Sequence, residues 1–526
     1  MADAVNISYE RDATMGISGA DNPVTALLDA FAKAPANQVE SAYERLVEQL
    51  WQDGTTTDAA PQAVPELVAR LSQVDTVRKG HLAILLGLLA EADNAANNGV
   101  AQSVHKGLGQ YLELWRGAEQ GQGLDMALQY LLNHFPSDKE RILAVGAERV
   151  LSVEDHSRIE RALTSYDPTD PVPEIGRAFP YPTAWVMDEA EKETDRAWVQ
   201  SLSPEQVEET WHNDTQTILG YTGARAYWAV RNGAPVPAVP DSVPSRRPNP
   251  QDADPVIFNQ HGEAFRCPNC HNSLNFEPHL AKCTGCSAAY PIARGMVDLT
   301  RVAGADDDHT EDLLFQQQKV TTIGHFVEGY ARPNFKRLCG FTWDGPINPD
   351  REQKLIAEFV RPVEGPVVDI AAGAGGWTTD LVKAVGAERV IALDLMPAIV
   401  AALRDRLPDV PAVITSATTL PFGDETLGGA MCWNGPHAFL DDTAEAIAEI
   451  GRCLKKGGSF TTYTFRNSDD PIYRYFVSSH RFPQHEHGLR MYDIDEFKGW
   501  LQQAGLRVRE ELNIGLAVIL IAEKIH

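Results

Sequence analysis

Between residues 24 and 232 the apolar positions recur at helical spacing. Tyr43, Leu46, Val47, Leu50 and Trp51 fall on one face of a helix, and Leu124, Ala127, Leu128, Leu131, Leu132 and Phe135 repeat the pattern. Ser137 and Glu140 have the spacing of a capping box ahead of ILAVGAERVL. The segments AVPELVARLSQ and TVRKGHLAILLGLLAEAD read as paired helices of HEAT-like repeats, but they keep no fixed period, so an irregular helical bundle fits as well. From about residue 320 the pattern changes. Short apolar runs such as PVVDI and VIALD, of strand length, alternate with helical stretches and predict a parallel α/β sheet. The last two runs, RVREEL and AVILIAEK, predict an antiparallel edge hairpin.

Proline marks the boundaries. Seven prolines fall between Ala234 and Pro255, too many for a helix interior or a central strand. The expected layout is therefore an all-α, helical-repeat-like region over 1–233, an extended linker over 234–255, a small cysteine module over 256–302, and an α/β domain over 303–526. The acidic run GADDDHTEDLL lies at the start of that last region.

Charge narrows the function classes. With 46 Lys and Arg against 73 Asp and Glu the net charge is −27, a field that repels phosphate backbones, and the densest basic pair is Arg246 and Arg247. Nucleic acid is thus an unfavoured partner. No apolar run reaches the roughly 20 residues that span a bilayer, and the N-terminus lacks a basic start followed by an apolar run, so a cytoplasmic protein is expected.

Of the 7 cysteines, Cys267, Cys270, Cys283 and Cys286 form a C-x2-C-x12-C-x2-C pattern. Two such knuckles facing each other aim four thiolates at one point, which suits tetrahedral zinc; a rubredoxin-type iron uses the same geometry. Four thiolates leave no open position, so the metal would be structural. The string from CPNC to YPIARGMVDL resembles the zinc ribbon that precedes the methyltransferase domain in bacterial large-subunit rRNA guanine methyltransferases. It differs in its two symmetrical knuckles and in lacking a basic surface.

GPVVDIAAGAGGWTTDLVKAV reads as a strand ending near Asp369 to Ala372, a glycine turn at Gly373 to Gly376, and a helix, with Asp394 at the tip of the next strand 21 residues after Gly373. Glycines admit close backbone approach, and the second carboxylate can accept from both ribose hydroxyls of a nucleoside. A dinucleotide fingerprint wants a third glycine where Thr378 stands.

With the later runs VITSATTLPFGDETLGGAMCWNGPHAF and EIGRCLKKGGSFTTYTF, residues 320–526 resemble a class I, Rossmann-like methyltransferase dependent on S-adenosylmethionine (SAM). The resemblance implies that Asp369, Ala371, Gly373 and Gly375 border the methionine part of SAM and that Asp394 binds the ribose. It places Leu395 and Ala417 against the adenine. Ser416 stands where the family usually has an acidic residue, so its Oγ or a backbone group would serve the adenine amine. Trp433 and Asn434 would shape the cavity, and Tyr330, in HFVEGYARPNF, would lie on a helix closing over SAM.

His437 is the candidate base, with packing or substrate orientation as its other reading, and Cys432 is read as core. The insertion RNSDDPIYRYFVSSHRFPQHEHGLR, with Tyr473, Tyr475 and Phe476, is expected to line the acceptor pocket as a lid. Its His480, His485 and His487 are read as a solvated or substrate-lining loop rather than a metal site.

The leading expectation is methyl transfer to a small molecule or modified peptide, in bacterial specialised metabolism, with the helical region recruiting substrate or a protein partner. An RNA base methyltransferase that uses the ribbon is the alternative, and a scaffold that has lost catalysis is the third reading.

Overall fold

The computed structural model describes residues 23–96, 99–149, 151–170, 187–233, 246–302, 319–332, 349–481 and 490–526. By their contacts the residues fall into two units, Met1–Gly107 and Leu108–His526, so the division lies inside the helical region. In the first unit the helices Pro23–Lys33, Val39–Leu50, Ala60–Arg70, Thr76–Ala96 and Val100–His105 accompany a short hairpin of β1 (Trp51–Gln52) and β2 (Thr55–Thr56). The periodic face of Val39–Leu50 is the buried one: Tyr43, Leu46, Val47 and Leu50 are all in the core.

The second unit begins with helices that run from Leu108–Gly117 to the 29-residue Pro204–Asn232. Its capping boxes are not where the sequence suggested. Pro136–Asp138 forms a tight 3₁₀ turn, and the helix Lys139–Glu148 follows without a side-chain cap. Pro136 favours the first position of a turn, which puts Ser137 inside it rather than at an extended N-cap. Reciprocal boxes instead start Glu189–Ser201, through Asp188 and Glu191, and Pro204–Asn232, through Ser203 and Gln206.

Among the described residues, eleven strands make one sheet. They are β3 (Leu274–Phe276), β4 (Leu280–Cys283), β5 (Ala289–Ala293), β6 (Met296–Asp298), β7 (Val367–Ile370), β8 (Val390–Asp394), β9 (Ala412–Ile414), β10 (Leu427–Trp433), β11 (Leu454–Phe465), β12 (Leu506–Ile514) and β13 (Ala517–Lys524). Their spatial order is β12-β13-β11-β10-β7-β8-β9-β6-β5-β4-β3. From β7 to β11 the neighbours are parallel, while β13 is antiparallel to β11 and forms the closing hairpin with β12. That seven-strand half is the Rossmann-like sheet expected of a class I methyltransferase. Strand order reverses between β7 and β10, and in open α/β sheets ligands bind outside the carboxyl ends of strands at such a point.

The cysteine segment does not form a separate sheet. β6 lies parallel to β9, with Met296, Val297 and Asp298 opposite Ala412, Val413 and Ile414, and β5, β4 and β3 follow as an antiparallel extension. Phe258, Phe265, Phe276 and Val297 belong to the same hydrophobic cluster as Val368, Ile391 and Phe422. The Arg266 N–H donates to the Pro421 carbonyl at 2.8 Å, and the Gly423 N–H to that of Ala264 at 2.9 Å. Fewer than 50 residues cannot enclose much apolar surface alone, so sharing a core is the physically expected solution.

Candidate functional site

At the carboxyl end of β7 the chain turns through Ala371 (φ 54°), Gly373 (φ 59°) and Gly375 (φ 84°) into the helix Gly376–Val385. Left-handed backbone at a non-glycine residue costs about 1–3 kcal/mol and concentrates at functional sites. Asn434 (φ 58°), just beyond β10, has the same conformation. The two tips meet: a Cβ on Gly435 would lie 2.8 Å from the Ala371 Cβ and 2.7 Å from the Cys432 Sγ, so close approach requires glycine there.

Two carboxylates face the turn. Asp394 Oδ2 accepts from the Gly373 N–H at 2.9 Å and Oδ1 from the Met396 N–H at 3.1 Å. Asp369 is buried and accepts from the Thr378 hydroxyl at 2.7 Å. Thr378, read as a missing glycine, thus orients a carboxylate instead. Burial pushes the Asp369 carboxyl up to about 7, with the Asp394 charge adding to the rise; the Thr378 hydrogen bond and the Arg332 charge oppose it. Burial likewise raises Asp394, against its backbone N–H bonds. The Cys432 thiol, buried near both, is held well above its ordinary value chiefly by burial, consistent with a core residue.

Beside the turn, Leu395 is 54% exposed, unusual for a large apolar side chain at a strand tip. Ser416 shares a hydrogen bond with the Thr418 hydroxyl at 2.8 Å and accepts from the Thr418 N–H at 3.2 Å; Ala417 packs on the core. Trp433 is buried, donates to Glu352 at 3.3 Å, and lies 5.1 Å from the Tyr463 ring. Tyr463 lies 5.9 Å from Phe465, and His437 lies 5.3 Å from Phe465. Tyr330 is buried and stacks on Phe326 at 5.8 Å, in a segment where Glu328 pairs with Arg406 at 2.5 Å. Asp369, Ala371, Gly373, Gly375, Asp394, Leu395, Trp433 and Asn434 therefore lie at the ends of β7, β8 and β10, Ser416 and Ala417 follow β9, and Tyr463 and Phe465 lie at the end of β11.

The residues suit SAM. A cradle at the glycine turn, a bifunctional carboxylate at Asp394 and an exposed apolar side chain at Leu395 match an amino-acid tail, a ribose and an adenine in that order. SAM when bound supplies an electrophilic methyl group on a sulfonium.

The insertion's helix, Pro471–Ser478, packs on Pro204–Asn232. Phe476 sits against Gly220 and Gly223, where an added Cβ at Gly223 would come within 2.2 Å of the ring, and Tyr473 meets Tyr227 at 5.4 Å. Asp470 caps this helix and accepts from the Tyr227 hydroxyl at 2.9 Å. Gly223 makes room for the Phe476 ring, and Gly220 for the Phe476 carbonyl and Ser479, a pairing that no local pattern in the insertion announces. His480 is buried, and His485 and His487 lie outside the described residues.

In the cysteine segment, Cys270 and Cys283 Sγ are 3.3 Å apart and Cys267 and Cys286 Sγ 3.9 Å, and all four lie within 4.8 Å of one another. Sulfurs about a tetrahedral zinc at ~2.3 Å stand roughly 3.8 Å apart. The Gly285 and Cys286 N–H groups point at Cys283 Sγ at 3.3 Å, and the Tyr290 hydroxyl lies 3.3 Å from Cys267 Sγ, contacts that stabilise thiolates.

Comparison with known proteins finds methyltransferases. Residues 367–458 match the family described as methyltransferase domain. An uncharacterised chloroplastic methyltransferase of Arabidopsis thaliana is 26% identical over 265 residues, 45% of this chain and 71% of that protein. A demethylmenaquinone methyltransferase of Corynebacterium kroppenstedtii is 37% identical over 107 residues, so the chain spans 20% of its own length and only 44% of that relative's. Among solved structures, a chain from the complex of the Haloferax volcanii Trm112 methyltransferase activator with a methyltransferase aligns at 17% identity and TM-score 0.31, covering 39% of this chain and 97% of that one. Among the described residues no helix is long and apolar enough to cross a membrane.

Proposed function

We propose that this enzyme, a SAM-dependent methyltransferase, transfers its methyl group to a small, largely apolar or aromatic acceptor, a peptide side chain included. The observation that carries this reading is the buried aromatic cluster of Trp433 at the end of β10 and Tyr463 and Phe465 at the end of β11, joined by the half-buried His437 just beyond β10. Displacement at a sulfonium methyl is in line, so the protein's task is to align the acceptor and exclude water. His437, half-buried at this cluster, would take the proton of an acceptor that carries one. The likeness to a demethylmenaquinone methyltransferase, whose named substrate is a small molecule, points the same way. So does the charge of −27.

In this reading Asp394 takes the ribose, Leu395, Ser416 and Ala417 border the adenine, Asp369 faces the ammonium, and Ala371, Gly373, Gly375, Tyr330, Trp433 and Asn434 close the cavity. Cys267, Cys270, Cys283 and Cys286 hold a structural zinc. The helical region serves substrate or partner recruitment. Incubating the protein with radiolabelled SAM and either a small-molecule extract or purified rRNA and tRNA, at physiological salt, tests the acceptor class. Label is expected in the small-molecule or peptide fraction; label in RNA would replace this reading with the RNA one.

Asp369 gives a pH prediction. A carboxyl raised to about 7 is largely protonated at pH 6, and pairing with an ammonium requires its ionised form. SAM affinity should therefore rise from pH 6 to about 7.5, by less than tenfold, with a proton released on binding. Above about pH 8 the amino group of SAM itself loses its charge. Calorimetry in buffers of different ionisation enthalpy reads both effects. The sign for folding is opposite: a raised carboxyl stabilises the empty fold at low pH, and that contribution is lost as pH rises through 7. Asp369→Asn should remove its share of both slopes; a variant with the same slopes as the parent would show that the group titrates elsewhere.

A further inference from the structure

The segment ahead of the α/β domain carries a cation, Arg332, that no carboxylate among the described residues pairs with. The helical turn Ile323–Phe326 and the π-turn Val327–Ala331 lead to Arg332, which lies over the glycine turn. Three anchors fix this segment. Glu191 accepts from the Thr321 hydroxyl at 3.0 Å, the Thr322 N–H at 2.8 Å and the Thr322 hydroxyl at 3.3 Å. Gly324 packs against Ala398 and Ala402, and Glu328 pairs with Arg406 at 2.5 Å.

The guanidinium itself lies 4.5 Å from the centre of the Trp377 ring, in the first turn of Gly376–Val385. It also rests on Gly373, where an added Cβ would be 2.3 Å from one of its nitrogens. Another nitrogen, Nη1, is sealed from solvent and has no hydrogen-bond partner. Asp369 and Asp394 feel its charge, yet among the described residues no carboxylate comes within 4.0 Å of it. The cation further stands at the N-terminal end of a helix, where the macrodipole disfavours positive charge. A half-buried guanidinium with a sealed, unsatisfied Nη1 and, among the described residues, no carboxylate in contact, in a place where the helix field repels it, is a good receptor for an anion.

We propose that Arg332 binds the α-carboxylate of SAM, setting the amino-acid tail across the glycine turn with its ammonium toward Asp369. This rests on the proposed placement of SAM and deepens it: the tail is recognised as a zwitterion by an opposed pair, one residue on the covering segment and one on β7. The guanidinium fork suits a carboxylate because two parallel N–H donors meet two oxygens.

The test compares two cofactors, SAM and decarboxylated SAM, which keeps the sulfonium, the amine and the nucleoside but lacks the carboxylate. The intact chain should prefer SAM, and Arg332→Gln should lose affinity for SAM by about 10- to 150-fold while its affinity for decarboxylated SAM stays within twofold. Arg332→Lys should recover part of the preference. An Arg332→Gln protein that keeps the parent's preference for SAM would overturn the assignment, and so would one that loses affinity for both cofactors equally with an unchanged melting curve. If Asp394→Ala leaves both affinities intact, the placement of SAM fails instead, which is a separate result.

Discussion

Replacing Cys283 and Cys286 together by alanine is expected to release the metal and to destabilise the second unit on the order of 5 kcal/mol, a part of the roughly 10–16 kcal/mol of apparent binding free energy that zinc gives isolated zinc-finger peptides. The full amount is not expected. Phe258, Phe265, Phe276, Tyr290 and Val297 remain in a core shared with the α/β sheet, and that burial persists without metal. What is lost is the geometry at the tips of β3 and β4, where the two knuckles converge on one point and Cys267 faces Cys286. The loss should also reach the cofactor. Phe265 packs on Phe422 at 5.2 Å and the Arg266 N–H holds the Pro421 carbonyl, so the segment that follows Ser416 and Ala417 loses a support. Metal analysis of the parent should give one equivalent, the double variant close to none, and thermal unfolding followed by circular dichroism should move down. A variant that keeps its metal, or a parent that carries none, would refute the site. Metal loss with an unmoved unfolding curve would show that the shared core alone holds the segment.

The sheet and its glycine turn were legible because their signals are local. Strand-length apolar runs separated by helical periods fix β7, β8, β10 and β11, and the interval from Gly373 to Asp394 places a carboxylate at the next strand's tip. The extension through β6 was not legible. Met296–Asp298 is three residues long, and nothing within it specifies a parallel neighbour more than 100 residues later. The insertion helix is a similar case: its apolar face is plain, but whether it meets substrate or Gly220 and Gly223 is decided by the other surface. Ser137 and Glu140 carried a correct spacing that Pro136 overrode. Arg332 lies in the same segment as Tyr330, yet an arginine in sequence gives no sign that one of its nitrogens is sealed without a partner, and only the surrounding geometry does.

Asp394→Ala is expected to weaken SAM by about 1.5–3 kcal/mol, roughly 10- to 150-fold, without unfolding the protein. Each carboxylate oxygen spends one lone pair on a backbone N–H, Oδ2 on Gly373 and Oδ1 on Met396, and keeps another that can accept from a ribose hydroxyl. The backbone bonds hold the carboxylate in place before the ligand arrives, so little ordering cost is left at binding. Removing the side chain has two opposed effects on folding. The Gly373 and Met396 N–H groups lose their acceptor, while the cost of burying a charge, visible in the upward shift of Asp394, disappears. Stability should therefore change much less than affinity, and Asp394→Asn, which retains one acceptor and no charge, should fall between parent and alanine in binding. Calorimetry with SAM and with 5′-methylthioadenosine separates this residue from Arg332. The two ligands share the ribose, so Asp394→Ala should weaken both by the same factor, whereas a residue that acts on the amino-acid tail can affect only SAM. Equal and unchanged affinities in a folded Asp394→Ala protein would mean that the ribose is bound elsewhere. A loss confined to SAM would move Asp394 from the ribose to the tail, and with it the direction in which the cofactor lies across the sheet.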